Sequence, residues 1–456
     1  MLRLAVALAA AVPAVATAQA WVVETGAAAR GEFNDNYFFA TSDPQSAFTA
    51  SIAPFLTAVR QTETSDATAF LAVGLNQVWG PSPTTDYISG RAGLTGAVYD
   101  ERSAWAGAMA FSRAPLLQEA QTQAGTALVL AYTNAATVNG AYSYALADRW
   151  WIGAVAGWYT NDYDNVEEGQ GTLSDNHGYL AGVTLDHRYS ERTGFRTATM
   201  FSHYVSDITQ SNVVAATLGA VHQVSPQLTL SASVGGFWSE TESRETTLGC
   251  PAAPVLCRTG IVQPVLVVSG AERRDSGPLY GASINYDFTE GSRLSVTLSQ
   301  TIDPSGTGTI VKNTDTGAAV AHRFSERITG RLGVTYTRTR LPAALSGAYT
   351  NEYYSGEASA FFQLAEHWTL EAGYRYAWAT YEDDPFRPAS NVVFLTIAYN
   401  RPAGAFTDWV GTRIGVADRR LGAGPVSLPE ARPLPARLES PTGGPESLPF
   451  GTFTIP

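Results

Sequence analysis

The sequence predicts an all-β protein, a transmembrane antiparallel up-and-down β-barrel of about eighteen strands, with sixteen as the alternative. Three observations lead there. Charged residues make up only 15% of the 456 while aromatic residues reach 11%. Mean hydropathy is near zero. Apolar and polar residues alternate with period two over segments of the length that crosses a bilayer, about 9–11 residues. A helical membrane protein would be more apolar, and a soluble enzyme carries about 25% charge. Collagen, coiled coil and disordered chain are excluded by the absence of a glycine period, by the scarcity of Glu and Lys (Lys312 is the single lysine), and by the many aromatics.

The chain opens with the features of a secretory signal over 1–20. Arg3 is a short positive region, Leu4 to Ala16 is apolar, and Ala18-Gln19-Ala20 is a small-x-small cleavage site, so the mature chain is expected to start at Trp21. No run of 18 apolar residues follows, so no transmembrane helix is expected. The formal net charge of −12 becomes more negative once Arg3 is removed, which disfavours nucleic acid as a partner.

The barrel is expected over 21–401. Its clearest strand is 279–288, where Tyr280, Ala282, Ile284, Tyr286 and Phe288 oppose Gly281, Ser283, Asn285 and Asp287. In 368–378, Trp368, Leu370, Ala372, Tyr374, Tyr376 and Trp378 oppose Thr369, Glu371, Gly373 and Arg375. Segments 179–189, 228–235 and 292–299 alternate the same way, and a helical period would scramble all of these sets. The full series is 21–33, 47–60, 67–79, 87–99, 103–113, 126–146, 150–160, 178–189, 194–205, 213–223, 228–239, 278–288, 292–302, 314–324, 328–340, 353–364, 368–381 and 391–401. An even number returns both ends to one side of the membrane. Trp79, Tyr87, Tyr99, Trp105, Trp150, Trp151, Trp238, Trp368, Tyr381 and Tyr399 sit near strand ends, where interfacial girdles form.

Connections alternate in length. Short turns at 100–103, 147–149, 190–193, 224–227, 289–291, 325–327 and 365–367 suit the periplasmic side. Long connections at 34–46, 80–86, 114–125, 161–177, 206–212, 240–277, 303–313, 341–352 and 382–390 suit the extracellular side. The 240–277 connection is long enough to fold inward and plug the lumen. From 402 to 456 the chain is rich in Pro and Gly and reads as a periplasmic tail.

The alternation places Arg91, Asp186, Arg188, Asp287, Arg293, Arg323, Glu357, Glu371 and Arg375 in the lumen, five basic and four acidic residues. A ring of one sign would select ions; this mixture does not. With lumen aromatics such as Tyr353 and Phe361 it suits neutral or mixed sugars, and it equally suits a wall stiffened by charges that pair across the lumen. Cys250 and Cys257 read as one local disulfide, with two free thiols or a metal site as alternatives; no histidine stands close enough to favour metal. Loop 161–177 carries Asp162, Asp164, Glu167, Glu168, Asp175 and His177, but its spacing matches no EF-hand and reads as a solvated acidic loop. The six histidines, His177, His187, His203, His222, His322 and His367, are isolated from one another, and no Gly-x-Ser-x-Gly elbow occurs. The reading is non-enzymatic, with no catalytic residue, cofactor or metal.

Several phrases recur at the short turns: Arg-Tyr-Ser-Glu-Arg at 188–192, Arg-Phe-Ser-Glu-Arg at 323–327, and Gln-Leu-Ala-Glu-His-Trp at 363–368. Ser299 to Gly308 precedes the second. Near the start stand Phe33, Asn34, Asp35 and Asn36, then Ser42-Asp43 and a strand ending near Arg60. Over about 24–401 these resemble the outer-membrane β-barrel porins associated with bacterial exopolysaccharide biosynthesis and export. The resemblance implies a passive conduit or accessory at the exit of a polysaccharide secretion route, with polysaccharide and periplasmic export components as partners and outer-membrane lipid and lipopolysaccharide as surroundings. It brings no catalytic residues. A general diffusion porin and a non-conducting structural barrel are the competing expectations.

Overall fold

The computed structural model describes residues 21–80, 86–115, 132–164, 174–249, 265–289, 291–304, 310–340, 350–381 and 387–400. The expected signal at 1–20, the two cysteines and the tail lie outside the described residues. Eighteen strands follow in order: β1 Val22–Asn34, β2 Ala47–Gln61, β3 Ser65–Trp79, β4 Tyr87–Tyr99, β5 Ser103–Pro115, β6 Tyr132–Ala147, β7 Trp150–Asp164, β8 Asn176–Arg188, β9 Thr193–Ser206, β10 Thr209–Ser225, β11 Leu228–Gly249, β12 Val265–Thr289, β13 Ser292–Pro304, β14 Ile310–Ser325, β15 Ile328–Arg340, β16 Thr350–Ala365, β17 Trp368–Tyr381 and β18 Ala389–Asn400. Each pairs antiparallel with its neighbours in sequence, and β1 pairs with β18 from Gly26–Asn400 to Asn34–Val392, so the sheet closes. No described helix is long and apolar enough to cross a membrane.

Turns of two to four residues join the strands at one end, and both β1 and β18 have their free ends there. The recurring turn phrases have a local cause. The hydroxyls of Ser190 and Ser325 accept the N–H of Arg192 and Arg327 two residues on, and Ser225 does the same for Gln227 and Leu228. A register shift one step earlier, as at Gln223/Ser225 and Arg323/Ser325, sharpens the twist into the turn.

Register fixes which side chains share a face. One face carries Phe48, Ile52, Leu71, Leu75, Ile88, Trp105, Val138, Trp158, Val183, Leu218, Val234, Leu332, Val393 and Leu395, all exposed. On the other face, side chains from strands that are not neighbours touch one another: Tyr159 of β7, Tyr204 of β9 and Phe237 of β11 join one buried cluster. That second face is the interior. An exposed apolar face running around the whole barrel, with aromatic pairs such as Trp105–Tyr142 (ring centroids 4.3 Å apart) and Trp368–Tyr399 (5.2 Å) near the turn end and Phe48–Trp79 (5.6 Å) and Tyr354–Trp378 (4.1 Å) near the loop end, is built for a bilayer.

Three expectations are corrected. Segment 206–212 is not a long connection: a two-residue turn, Asp207-Ile208, joins β9 to β10, closed by the Ser206 hydroxyl on the Thr209 N–H. The 240–277 loop is largely strand, because β11 and β12 stay in ladder up to Gly249–Val265. Its described parts form a two-stranded arm that outruns the neighbouring β13. Tyr87, Tyr99, Trp151 and Tyr381 are not girdle residues; their ladder partners Asn76, Ala104, Asp186 and Asn351 place them on the inner face.

The β1–β18 seam is reinforced beyond its ladder by Asn34, Asp35 and Asn36. Asn34 Oδ1 accepts the Ser390 hydroxyl (2.8 Å) and the Asn36 N–H (2.9 Å). Asp35 accepts the Asn391 N–H (2.7 Å) and amide (2.6 Å), and the Asn36 amide donates to the Ala389 and Ala40 carbonyls (2.9 Å each). Because three of these side chains are buried or nearly so, Asn36→Ala is expected to destabilise the barrel by about 1–3 kcal/mol. The check is a thermal melt of the folded barrel beside Asp43→Ala; equal midpoints for Asn36→Ala and wild type would contradict the assignment.

Candidate functional site

The candidate site is the interior of the barrel. Its wall differs from side to side. On β5 and β6 the inner residues are small, with Ala104, Ala106, Ala108, Ala110 and Ser112 facing Ser143, Ala141, Asn139, Thr137 and Ala135. Charge gathers on β8–β9 and on β12–β18 with β1.

By ladder register the nine charged residues expected at the lumen share the parity of the Tyr159, Tyr204 and Phe237 cluster. The structure brings them together in groups. Asp186 pairs with Arg196 on the next strand, and the Arg188 guanidinium lies over Trp151, 5.6 Å from the ring centroid. Asp287 pairs with Arg293 at 2.7 Å. Glu357 and Arg375 are ladder partners on β16 and β17, two inward positions from Glu371. Glu371 is only 4% exposed and lies within electrostatic reach of Arg30 and Arg331. Arg91 lies on β4, and Arg323 lies on β14 one inward position from Ala321, the ladder partner of Arg293.

The alternation did not single out Arg30, Glu32, Arg196 and Arg331. Arg30 pairs with Glu32 at 2.6 Å on the same strand. The available signal was the run Gly26, Ala28, Arg30, Glu32, Asn34, but the opposing positions Ala27, Ala29 and Gly31 are too small to mark an apolar face. Among the described residues, the pairs Arg30–Glu32, Asp186–Arg196 and Asp287–Arg293 run along the wall between adjacent positions.

Several inner aromatics are held against the wall. Phe55, Phe70, Phe237 and Phe394 each lie flat on a glycine directly opposite on the adjacent strand, Gly26, Gly93, Gly277 and Gly373. A Cβ on Gly373 would meet the Phe394 ring, and one on Gly26 would meet the Phe55 ring. Guanidinium groups then cover two rings: Arg30 stands 3.9 Å from the centroid of Phe394 and Arg331 stands 4.6 Å from that of Phe361. Tyr353 is covered by Phe39, with centroids 6.0 Å apart. Tyr353 and Phe361, expected as lumen aromatics, have the inward parity but are buried under other side chains.

Two elements enter the mouth from the loop end. The first is the β1–β2 loop, 35–46. It places Phe39, in left-handed backbone (φ 52°), against Tyr353, Ala377 and Ala379, and Tyr37 against Val78, Tyr87 and Tyr132. Burial pushes the Tyr37 phenol up to about 12, and Glu32 and Tyr132 add to the shift. The second is the β13–β14 hairpin. The β12–β13 ladder ends at Gly281–Ser299, while β13 and β14 stay paired to Pro304–Ile310. Beyond that point the outward-parity residues Ile302 and Ile310 pack on the inward residues Phe237 and Leu279, and Lys312 Nζ lies 5.9 Å from the Phe237 ring centroid. The hairpin has turned into the barrel and lies against the wall.

The remaining expected residues have plain roles. Asp164 accepts Arg113 (2.8 Å) and Asn134 (2.7 Å), and Asp175 accepts the Tyr163 N–H (2.8 Å). Among the described residues no group of three or more metal-binding side chains forms. His203, His222 and His322 bond Asn212, Thr193 and Ser292 on neighbouring strands, and His187 bonds the Arg149 carbonyl. Glu167, Glu168, Cys250 and Cys257 lie outside the described residues.

Residues 271–401, from β12 to β18, match the family model described as Putative beta-barrel porin 2. No curated protein matches the chain. Among solved structures the chain is similar to the ferric yersiniabactin uptake receptor FyuA from Yersinia pestis (11% identity, TM-score 0.42), covering 81% of this chain and 65% of the receptor, less than two thirds of its length. It is similar to OpdK from Pseudomonas aeruginosa, determined with vanillate (11% identity, TM-score 0.40, 83% and 98% covered). It is also similar to OccAB4 from Acinetobacter baumannii (11% identity, TM-score 0.43, 84% and 99% covered).

If inner rings are kept off the permeation path by their glycine partners, Gly373→Val will drive Phe394 and the Arg30 above it inward. The expected result is a lower single-channel conductance than wild type in planar bilayers; an unchanged conductance would show that this part of the wall does not border the path.

Proposed function

We propose that the protein is a porin-like channel of the outer membrane that passes small polar solutes passively through its lumen. The observation that carries this reading is the pairing of a polar, charge-mixed interior with an apolar outer face on one closed sheet. A hydrated lumen lowers the barrier for a polar solute that cannot cross lipid. The inward β13–β14 hairpin and the β1–β2 loop favour small solutes over a polymer chain, because both occupy the mouth.

A second reading comes from the sequence resemblance: a conduit or accessory in exopolysaccharide export, meeting polysaccharide and periplasmic export components. The phrases that support it also have structural jobs in the seam and the turns, so its support lies in the family likeness. Gene deletion separates the two. Loss of surface polysaccharide, restored by the intact gene, supports export. Normal polysaccharide with altered uptake of small solutes supports a diffusion channel.

Planar-bilayer recording tests conduction itself. Ohmic openings with little preference between cations and anions are expected, because the inner charges of both signs pair locally. Replacing residues 301–313 with a two-residue turn is expected to raise the conductance by removing the inward hairpin. Absence of openings in wild type and variant alike would leave a non-conducting structural barrel.

A further inference from the structure

The outer wall carries a feature that permeation does not use. Near the turn end, one ladder row on the outward face reads Arg60, Ala67, Gly96, Gly107 and Gly140 across β2 to β6. The missing side chains leave a shallow groove of about 430 Å³, with Arg60 at one end and Val98 and Trp105 on its rim. Val98 and Trp105 are more than half exposed, at 56% and 59%. A Cβ on Gly140 would meet nothing within 4 Å, and one on Gly107 only the Asn139 carbonyl at 3.8 Å, so the trough continues open past the third strand.

Arg60 is out of keeping with this face. The outward positions before it on β2 are all apolar, and Phe48, Ile52, Pro54 and Leu56 among them are exposed. Its Nε is buried and has no hydrogen-bond partner. Asp66, the nearest carboxylate in the ladder, faces the interior, where it accepts the Tyr99 hydroxyl at 3.0 Å. A cation on a lipid-facing position is tolerated at the interface far better than at the midplane, and Arg60 is the last residue but one of its strand.

We propose that this groove binds an anionic phospholipid of the leaflet at the turn end, with the phosphate on the Arg60 guanidinium and an acyl chain laid along Ala67, Gly96 and Gly107 beneath Trp105. The chemistry matches at both ends. A guanidinium is a directional donor to phosphate oxygens. A trough of Gly and Ala admits a methylene chain into contact that a Leu or Val row would block. The Trp105–Tyr142 pair lies at the interface level, where a glycerol backbone would sit. The inference rests on the membrane-embedded reading; failure of that reading would show separately, as protein that does not partition into vesicles.

The test is native mass spectrometry of the full-length, delipidated barrel titrated with phosphatidylglycerol or phosphatidylcholine in mixed micelles. Wild type is expected to retain one phosphatidylglycerol in preference to phosphatidylcholine, undisplaced by excess inorganic phosphate. Arg60→Gln should weaken retention about tenfold, the size of a lost charge-assisted hydrogen bond. Gly107→Leu should weaken it independently by filling the trough, and Arg113→Gln, on the same face at the loop end, should not. Arg60→Gln is expected to leave single-channel conductance unchanged, since it faces away from the lumen. Equal retention by wild type and both groove variants would overturn the proposal. So would displacement by phosphate alone. So would a Gly107→Leu barrel that separates into monomers while keeping its lipid, which would assign the groove to a second copy of the chain.

Discussion

Everything in this molecule depends on closing the sheet. A strand edge in a bilayer leaves backbone N–H and C=O groups with no partner, and each such group costs several kcal/mol. The β1–β18 ladder removes that edge, and the other features follow. Closure with hairpin connections brings the free ends of β1 and β18 to the turn side. It divides every strand into an outward and an inward set, so one register error would turn apolar residues into the lumen. The seam is also where the chain departs into its first long loop. Asn34, Asp35 and Asn36 continue the closure with side-chain bonds after the ladder stops, and the same bonds hold the β1–β2 loop over the mouth. Stability of the wall and shape of the entrance share these residues.

The same constraint explains what could be read from the sequence. Alternation is clear in β8, β12 and β17 because lipid demands large apolar residues on one side and the lumen accepts polar ones on the other. It is faint in β1, where Ala27, Ala29 and Gly31 face outward and leave Arg30 and Glu32 without an apolar face to oppose, and in β5, where the inward residues Ala104, Ala106, Ala108 and Ala110 are not polar. Beyond the bilayer the demand disappears. The ladder of β11 and β12 continues with Glu240, Glu242 and Arg274 on the outward parity, so the stretch reads as loop although its backbone stays paired. At strand ends one residue of uncertainty exchanges the faces, which moved Tyr87, Trp151 and Tyr381 from the expected girdle to the interior. The inward turn of the β13–β14 hairpin had no local signal. It depends on Ile302 and Ile310 finding Phe237 and Leu279, contacts between strands that are distant in sequence.

The phrases that suggested a family are informative about architecture. Ser190 and Ser325 close hairpins, and Asn34 to Asn36 clamp the seam; any barrel built this way would have use for them. The solute must therefore be argued from the interior. There the decisive point is that charges are matched along the wall. Asp186 with Arg196, Asp287 with Arg293 and Arg30 with Glu32 are neutralised by residues on the same or the adjacent strand. Pairs that bridged the lumen would tie opposite walls together and exclude water. Pairs along the wall leave the lumen free to hydrate and present short-range dipoles in place of a net field. Phe55, Phe70, Phe237 and Phe394 are laid on glycines, and Phe361, Phe394 and Tyr353 are covered by guanidinium groups or by Phe39, so these rings offer little open face. On the proposed reading, discrimination among solutes then falls to the space left between the β1–β2 loop and the β13–β14 hairpin, and charge acts within it as a means of keeping water in.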